Sequence, residues 1–586
     1  MIDIYYSKNN NKALFKHLEK TDIYNIQNYV PIYSLFFSLN DKNFNSINLN
    51  HRFLIESINE KVTNNIYNIG LLNKDKQENK SVGSFFKFSP LLDPVKYMVG
   101  KYSKHENIQG LPTFDDEPKD THKKIKDKNN AAYVDSFFYY LSAKTLEKHD
   151  FVHGNDFYGS FLGIKKEFHY NIIDDLDYLI DSDFFEKNNK TLFDTGNITD
   201  FLENMEDTRD NKKRLVIKDE VVEIKIKDIK NKMYDGVFEL TVDNLEKFNK
   251  INNNNCMDTI FESSTNTAQK DEKSENKSNK LSQSSCSSRT SNTDGTNNGC
   301  DSDNKSCDSG ELDSSESSGG SSSTSSSCDS IEELNAVIYN FPVQMICLEK
   351  LDDTLDSLMD LEDDDEMTDD EWCSCLFQII MILVVYQKMF DLTHNDLHTN
   401  NIMYKKTDKK YIIYKFNQTF YKVPTFGRIF KIIDYGRAIY KFKGKLFCSD
   451  SYGPKGDAAS QYNFGPYINQ NKPTLMPNKS FDLCRLGCSL FDYFVEDFDD
   501  VDIDPITKLV IEWCTDDKGR NILYKNNGEE RYPDFKLYKM ITRTVHNHLP
   551  EKQVDNQIFY KFITKRKKLG KKPKIINIDE MPSYIV

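Results

Sequence analysis

The chain has 586 residues, with 92 acidic side chains against 77 Lys and Arg and a net charge of -15. A surface of that sign repels a phosphate polymer or an anionic bilayer, so nucleic acid and membrane are set aside and protein or small-ligand partners are expected. Twelve cysteines without one C-x-x-C pair indicate neither a disulfide framework nor a zinc ribbon, which fits a reducing compartment, and the length allows two lobes.

Met1 to Asn10 lacks the apolar core of a secretory signal, so export is not expected. Residues 1–61 read as an N-terminal extension. Ile66 to Leu72 and Val82 to Phe88 bracket the polar segment Asn73 to Lys80, the pattern of a hairpin. Ala131 to Lys148 carries apolar residues at helical spacing, and Phe151 to Ile164 then reads as turn plus strand. From about Ser263 to Ser330 there is almost no aliphatic residue. Such a stretch buries too little to offset the entropy of ordering it, so a disordered insert is expected.

After the insert, Ala336 to Leu348 reads as a strand, Leu355 to Leu361 as a short helix and Trp372 to Phe390 as a strongly apolar helix. Its most apolar run, Ile379 to Tyr386, is well short of the about 20 residues that cross a bilayer, so a buried helix is expected. Short β segments fill Ile402 to Asp434, and a mainly helical pattern runs to about Ile563. The basic stretch 565–586, with Lys565, Arg566, Lys567, Lys568, Lys571, Lys572 and Lys574, reads as a solvated tail.

Two motifs carry chemistry. His394-Asn395-Asp396-Leu397-His398-Thr399-Asn400-Asn401 matches H-x-D-x-x-x-x-N between an apolar helix and a strand. That spacing lets one carboxylate reach an attacking hydroxyl while an amide oxygen five residues on reaches a metal ion on nucleotide phosphates. Downstream, Phe430 to Gly436 is an apolar strand ending in Asp434-Tyr435-Gly436, a D-F-G arrangement with Tyr for Phe. A carboxylate at a strand end can hold Mg²⁺, and the glycine lets the chain turn sharply.

Two further stretches carry a resemblance. Asp482-Leu483-Cys484-Arg485-Leu486-Gly487-Cys488 resembles the D-x-W-S-x-G-C start of the central large-lobe helix of protein kinases, and Cys347 to Met359 resembles their last small-lobe strand, hinge and following helix. With four motifs in order over roughly Val62 to Ile563, the chain resembles the eukaryotic-type protein kinase superfamily. Its Asn-rich, insert-bearing style and the runs Ser89 to Pro94 and Lys422 to Gly427 resemble the mimivirus-like serine/threonine kinases of giant DNA viruses.

The resemblance implies an α+β, bilobal kinase fold, with a β-rich small lobe at 62–348 and a mainly helical large lobe at 349–564. ATP and Mg²⁺ would lie between them. Asp396 would be the catalytic base, and Asn401 and Asp434 the metal ligands. Adenine would bond the backbone of Glu349 and Leu351 with Leu348 as gatekeeper. Asp482 would brace the catalytic-loop backbone, with His394 and Gly436 in support. The phosphate-positioning lysine is best placed at Lys87, with Lys96 as rival; its carboxylate partner is Asp135 or Glu147. Asp396→Ala is expected to remove most transfer and to leave the fold and much of the ATP binding.

The pattern has departures. No G-x-G-x-x-G precedes the hairpin, since Gly70 and Gly83 are too far apart. Asn395 replaces the arginine of H-R-D, no Ala-Pro-Glu lies between Gly436 and Asp482, and 33 positions from Asn401 to Asp434 leave room for an extra hairpin around Tyr411 to Tyr421. His398 stands where protein kinases carry Lys and where small-molecule kinases show H-x-D-x-H. The expected activity is transfer of the ATP γ-phosphate to a Ser or Thr hydroxyl of a protein. The alternatives are a pseudokinase scaffold and an aminoglycoside- or choline-type phosphotransferase. Serines of Cys307 to Ser330 are a candidate target in cis. An intracellular place is expected: host cytoplasm or virion, if the chain is viral.

Overall fold

The computed structural model describes residues 1–102, 107–114, 121–196, 198, 334–361, 366–495, 503–533 and 535–586. All of them belong to one unit drawn from Met1–Ile198 and Cys286–Val586. The Ser-rich stretch and its candidate target serines lie outside the described residues. The architecture is mixed α and β.

Its largest element is an antiparallel sheet. Six strands, β1 (Ile23–Gln27), β2 (Phe53–Lys61), β3 (Ile66–Asn73), β4 (Glu78–Pro90), β5 (Phe157–Asn171) and β6 (Asn335–Glu349), lie in the order β1-β5-β6-β4-β3-β2, and the short strand Phe193–Asp194 also pairs with β6. β6 is central, flanked by β5 and β4, and its second half is buried on both faces. Such a strand reads as a continuous apolar run, which is what Val343 to Leu348 nearly is. The expected hairpin is the β3–β4 pair, running from Ile66 opposite Phe85 to Asn73 opposite Glu78.

Residues 1–61 are not an extension outside this sheet, because they supply β1 and β2. The alternation in β2 is obscured by two register shifts, between Ile55 and Ser57 and between Ile58 and Glu60, which break the period of two that marks a strand. Gly70 serves this region. A Cβ there would meet Ser57 Oγ at 2.6 Å, so the glycine permits close approach of β3 to the irregular strand. The β2–β3 turn, Val62 to Asn65, has no glycine; the Thr63 hydroxyl accepts the Asn65 and Ile66 N–H groups at 3.3 and 3.0 Å.

Two long helices back the site. α1 (Ala131–His149) begins at Asn130, whose side chain accepts the Ala132 N–H at 3.1 Å. α2 (Asp369–Phe390) begins with a capping box between Thr368 and Glu371. At 22 residues α2 is longer than its most apolar run and, alone among the described residues, is long and apolar enough to cross a membrane; it is buried inside the protein. Phe138 of α1 packs against Tyr386 and Phe390 of α2 and against Tyr435 and Tyr440.

Beyond α2, β7 (Ile402–Lys406) pairs with β10 (Arg428–Ile432), and between them β8 (Tyr411–Phe416) and β9 (Thr419–Pro424) form the extra hairpin. The region after Gly436 is less helical than its pattern predicts. A hairpin, Ile439–Phe442 with Lys445–Cys448, is followed by largely irregular chain to Ser480, and then by α3 (Phe481–Phe494), α4 (Pro505–Trp513) and α5 (Lys536–Thr544). Aromatic burial holds the irregular part: Tyr452, Tyr462 and Phe464 form a cluster with Ile439 and Cys448, and Phe535 packs on it. Leu355 to Leu361 yields only the single 3-10 turn Asp356–Leu358.

The 565–586 stretch is not a solvated tail. Ile576–Asn577 pairs in parallel with β8, and the Tyr584 N–H donates to Met389 O at 2.8 Å. Ile576, Ile578, Met581 and Tyr584 are buried while the lysines stay exposed, so charge count alone conceals the apolar anchors.

Candidate functional site

Lys87 lies opposite Ile346, and Phe85 lies opposite Leu348. Opposed residues, and residues two apart along a strand, share a face, so Leu348 is on the face that carries Lys87. Lys87 Nζ lies 2.9 Å from Asp135 Oδ2 and 3.0 Å from Asp434 Oδ1, and all three side chains are buried. Burial opposes the ammonium, but the facing carboxylates outweigh it and hold its pKa above the usual lysine range. Burial likewise raises the Asp135 pKa, with Lys87 acting against it. The rivals are engaged elsewhere: Lys96 pairs with Asp93 at 2.7 Å, and Glu147 with Lys144.

Asp135 also accepts the Tyr435 N–H at 2.7 Å, which ties α1 to the Asp-Tyr-Gly turn. In that turn the left-handed residue is Asp434, at φ 60°, and not Gly436 as glycine's freedom suggests. The Asp434 N–H donates to the Tyr139 hydroxyl at 2.9 Å, and its Oδ1 accepts the Gly436 N–H at 3.2 Å. Gly436 gives the carboxylate room: a Cβ would stand 3.2 Å from Asp434 Oδ1, so Asp434 would have to give by a few tenths of an ångström. Left-handed backbone at a non-glycine costs on the order of 1–3 kcal/mol and persists only where surroundings enforce it.

The loop at Asp396 is enforced from α3. Asp482 accepts the His394 N–H at 2.9 Å with Oδ2 and the Asn395 N–H at 2.8 Å with Oδ1. His394 Nε2 lies 2.9 Å from Ile433 O, joining this loop to the residue before Asp434. Asn395 is also left-handed, at φ 68°, a conformation Asn tolerates better than Arg. Its amide donates to Thr393 O and Arg437 O, both at 3.1 Å. Asn401 Nδ2 donates to Asp396 O at 2.9 Å and faces His398 Nε2 at 3.1 Å. Burial lowers the His398 pKa to about 4 against the pull of Asp396, so the ring is neutral at neutral pH.

Asp396 is fully buried. Its Oδ1 accepts the Tyr538 hydroxyl at 2.8 Å, its Oδ2 lies 3.8 Å from Arg437 Nε, and Arg485 Nε donates to the same Tyr538 oxygen at 2.9 Å. Burial alone favours the neutral acid. Arg437, then His398 and Arg485, and the Tyr538 hydrogen bond overcome that and hold the carboxyl well below its usual range. The cations near Asp396 are Arg437, which follows Gly436, and Arg485, three residues after Asp482. Both lie inside or beside recognised motifs and are legible there. Tyr538, 142 positions from Asp396, carries no such signal.

The expected hinge residues behave differently. The Glu349 N–H donates to Asp156 O at 3.1 Å, and its buried carboxylate pairs with Lys431 and, at 3.3 Å, with the more exposed Lys405. Although burial favours the neutral acid, Lys431 and Lys405 hold Glu349 below its usual range. Replacing Lys431 with Met would leave that carboxylate and the Gly154 carbonyl without their main cation. The expected loss is about 3 kcal/mol of unfolding free energy, the size seen when one partner of a buried pair is removed, read from the urea midpoint.

A cavity of about 370 Å³ opens beside Asp135, Asp434, Gly436 and Arg437, with Lys96 and Lys124 in its wall. Leu348, Glu349 and Leu351 do not line it. Among the described residues, no group of three or more His, Cys, Asp or Glu side chains is placed to hold a metal ion. Asp434 and Asn401 offer one carboxylate and one amide. No family model matches the chain, and a search of curated proteins finds no match.

Proposed function

We propose that the chain is an ATP-dependent phosphotransferase with a bilobal, protein-kinase-like fold, acting on a Ser or Thr hydroxyl of a protein. The observation that carries this reading is the buried Asp135–Lys87–Asp434 contact, formed beside a loop that carries Asp396 and Asn401 and whose His394 and Asn395 N–H groups are held by Asp482. The β sheet with α1 would be the small lobe and the segment from α2 onward the large one.

Two residues supply oxygen atoms of the kind a hard cation takes. The Asn401 amide nitrogen is engaged by Asp396 O and faces His398, which leaves its oxygen as the atom for a hard cation, and Asp434 contributes a carboxylate. Mg²⁺·ATP, when bound, supplies the γ-phosphoryl group and the positive charge that offsets the transition state. Lys87 positions phosphate oxygens while Asp135 fixes the lysine. Asp396 orients the acceptor hydroxyl and takes its proton, and its depressed pKa keeps it ionised at neutral pH. Asp482 positions the loop through two N–H groups and touches nothing that reacts.

The test is transfer of label from γ-labelled ATP with Mg²⁺ to a generic protein substrate, wild type beside Asp434→Asn. Loss of signal in the variant is the expected result; equal signal in both would sink the assignment. One observation favours a second reading, a nucleotide-binding scaffold without turnover: the glycine-free Val62 to Asn65 turn, closed on its own Thr63. That reading expects ATP to raise the melting temperature with no transfer in either protein.

A further inference from the structure

Asp396 is read as the base for an incoming hydroxyl, yet it is fully buried, and a hydroxyl already sits on it. A base must lie within about 2.6–3.2 Å of the oxygen whose proton it takes. The Tyr538 hydroxyl donates to Asp396 Oδ1 at 2.8 Å, which is the contact an acceptor would make. Arg485 Nε fills the other side of the phenol oxygen at 2.9 Å.

The cover extends beyond one atom. The Arg437 guanidinium lies 5.7 Å from the Phe535 ring centroid and 5.6 Å from that of Tyr538, so the start of α5 lies over the cation beside Asp396. Arg437 keeps Nη1 buried without a hydrogen-bond partner among the described residues, a donor in place with no anion on it. α5 is tethered through its last turn, where Asn478 Nδ2 donates to Val545 O at 2.5 Å and Arg543 donates to Ser460 O at 2.7 Å. Tyr538 lies at its other end.

We propose that Tyr538 occupies the acceptor site of this chain, holding the place of the hydroxyl to be phosphorylated, and that an external acceptor enters only when the first turn of α5 withdraws it. The inference rests on the phosphotransferase reading. A merely structural Tyr538 would make its removal harmful, whereas an occupant of the acceptor site makes its removal activating. No covalent step at Tyr538 is involved.

The full chain, Tyr538→Phe and Tyr538→Ala are compared by two readouts. One is kcat and KM for a generic protein acceptor and for ATP. The other is coupling of Asp396 to a water-soluble carbodiimide, located by peptide mass spectrometry. Tyr538→Phe keeps the ring and its packing but lacks the hydroxyl. It is expected to raise transfer roughly tenfold, the worth of one hydrogen bond to a charged group, through a lower acceptor KM with KM for ATP unchanged. Tyr538→Ala is expected to expose Asp396 to faster coupling. Unchanged or lower transfer in a folded Tyr538→Phe, with Asp396 equally protected in all three proteins, overturns the proposal. So does phosphate found on Tyr538 of the wild type. Faster coupling with no transfer in any protein overturns the phosphotransferase reading and leaves Tyr538 as a cover.

Discussion

On the phosphotransferase reading, Asp396→Asn is expected to lower phosphate transfer roughly a thousandfold, the range in which a positioned general base acts, and also to weaken the fold. The second effect follows from burial. The fully buried Asp396 carboxylate faces Arg437 and Arg485, and the neutral amide leaves their charge less compensated. Removing one partner of such a cluster costs about 3 kcal/mol; Asp457, 2.5 Å from Arg437, keeps the cost near the lower end of the usual range. The expectation that loss of this carboxylate spares the fold is therefore revised. Because the folded pKa of Asp396 is depressed, its contribution is present above the ordinary carboxylate range and lost as pH falls below it. Urea midpoints at pH 7 and pH 3 check this: the gap between wild type and variant narrows at the lower pH. A variant with wild-type stability at pH 7 would refute the electrostatic account even if transfer were lost.

Lys87→Met has the other large effect. It leaves Asp135 and Asp434, both buried, facing each other without the cation that lies within 3.0 Å of each. About 4 kcal/mol of stability is expected to go with it, together with transfer. This deficit, like that of Asp396→Asn, shrinks as pH falls, but in a higher window, because the group that titrates is a carboxyl with a raised pKa. Asp135 already has a raised pKa through burial, and losing Lys87 raises it further. The penalty of a buried, ionised Asp135 is thus present at high pH and relieved as pH falls through the raised pKa. The deficit of Lys87→Met should shrink between pH 8 and pH 5. Adding Asp135→Asn to it should recover part of the loss, a non-additivity expected of neighbours sharing one interaction. Additive losses would show that the three groups do not act as a cluster.

Local pattern identified several of these parts before their arrangement. The helical spacing of Ala131 to Lys148 corresponds to Ala131–His149, the apolar run beginning at Trp372 to Asp369–Phe390, and the room between Asn401 and Asp434 to the β8–β9 hairpin. These elements bury one face or the whole of a continuous segment, and periodicity reports that directly. It failed where burial was not periodic. β2 hid behind two register shifts, the chain from Gly453 to Ser480 is anchored by scattered aromatics, and the C-terminal stretch carries five buried side chains among its lysines.

The sequence by itself determined the chemical inventory of the site: an Asp and an Asn five residues apart in a loop, an Asp at a strand end, an Asp opening a helix, and two candidate lysines with two candidate carboxylates. It could not choose among the pairs. That choice is Lys87 with Asp135, because β4 and α1 bring those two within 2.9 Å while Lys96 and Glu147 bond to neighbours three residues away. Only the tertiary structure placed Arg437 beside Asp396 and laid Tyr538 across it. The physical reason is that a segment's own spacing encodes which of its faces is buried, whereas a contact between residues 142 positions apart depends on how many separate segments pack together.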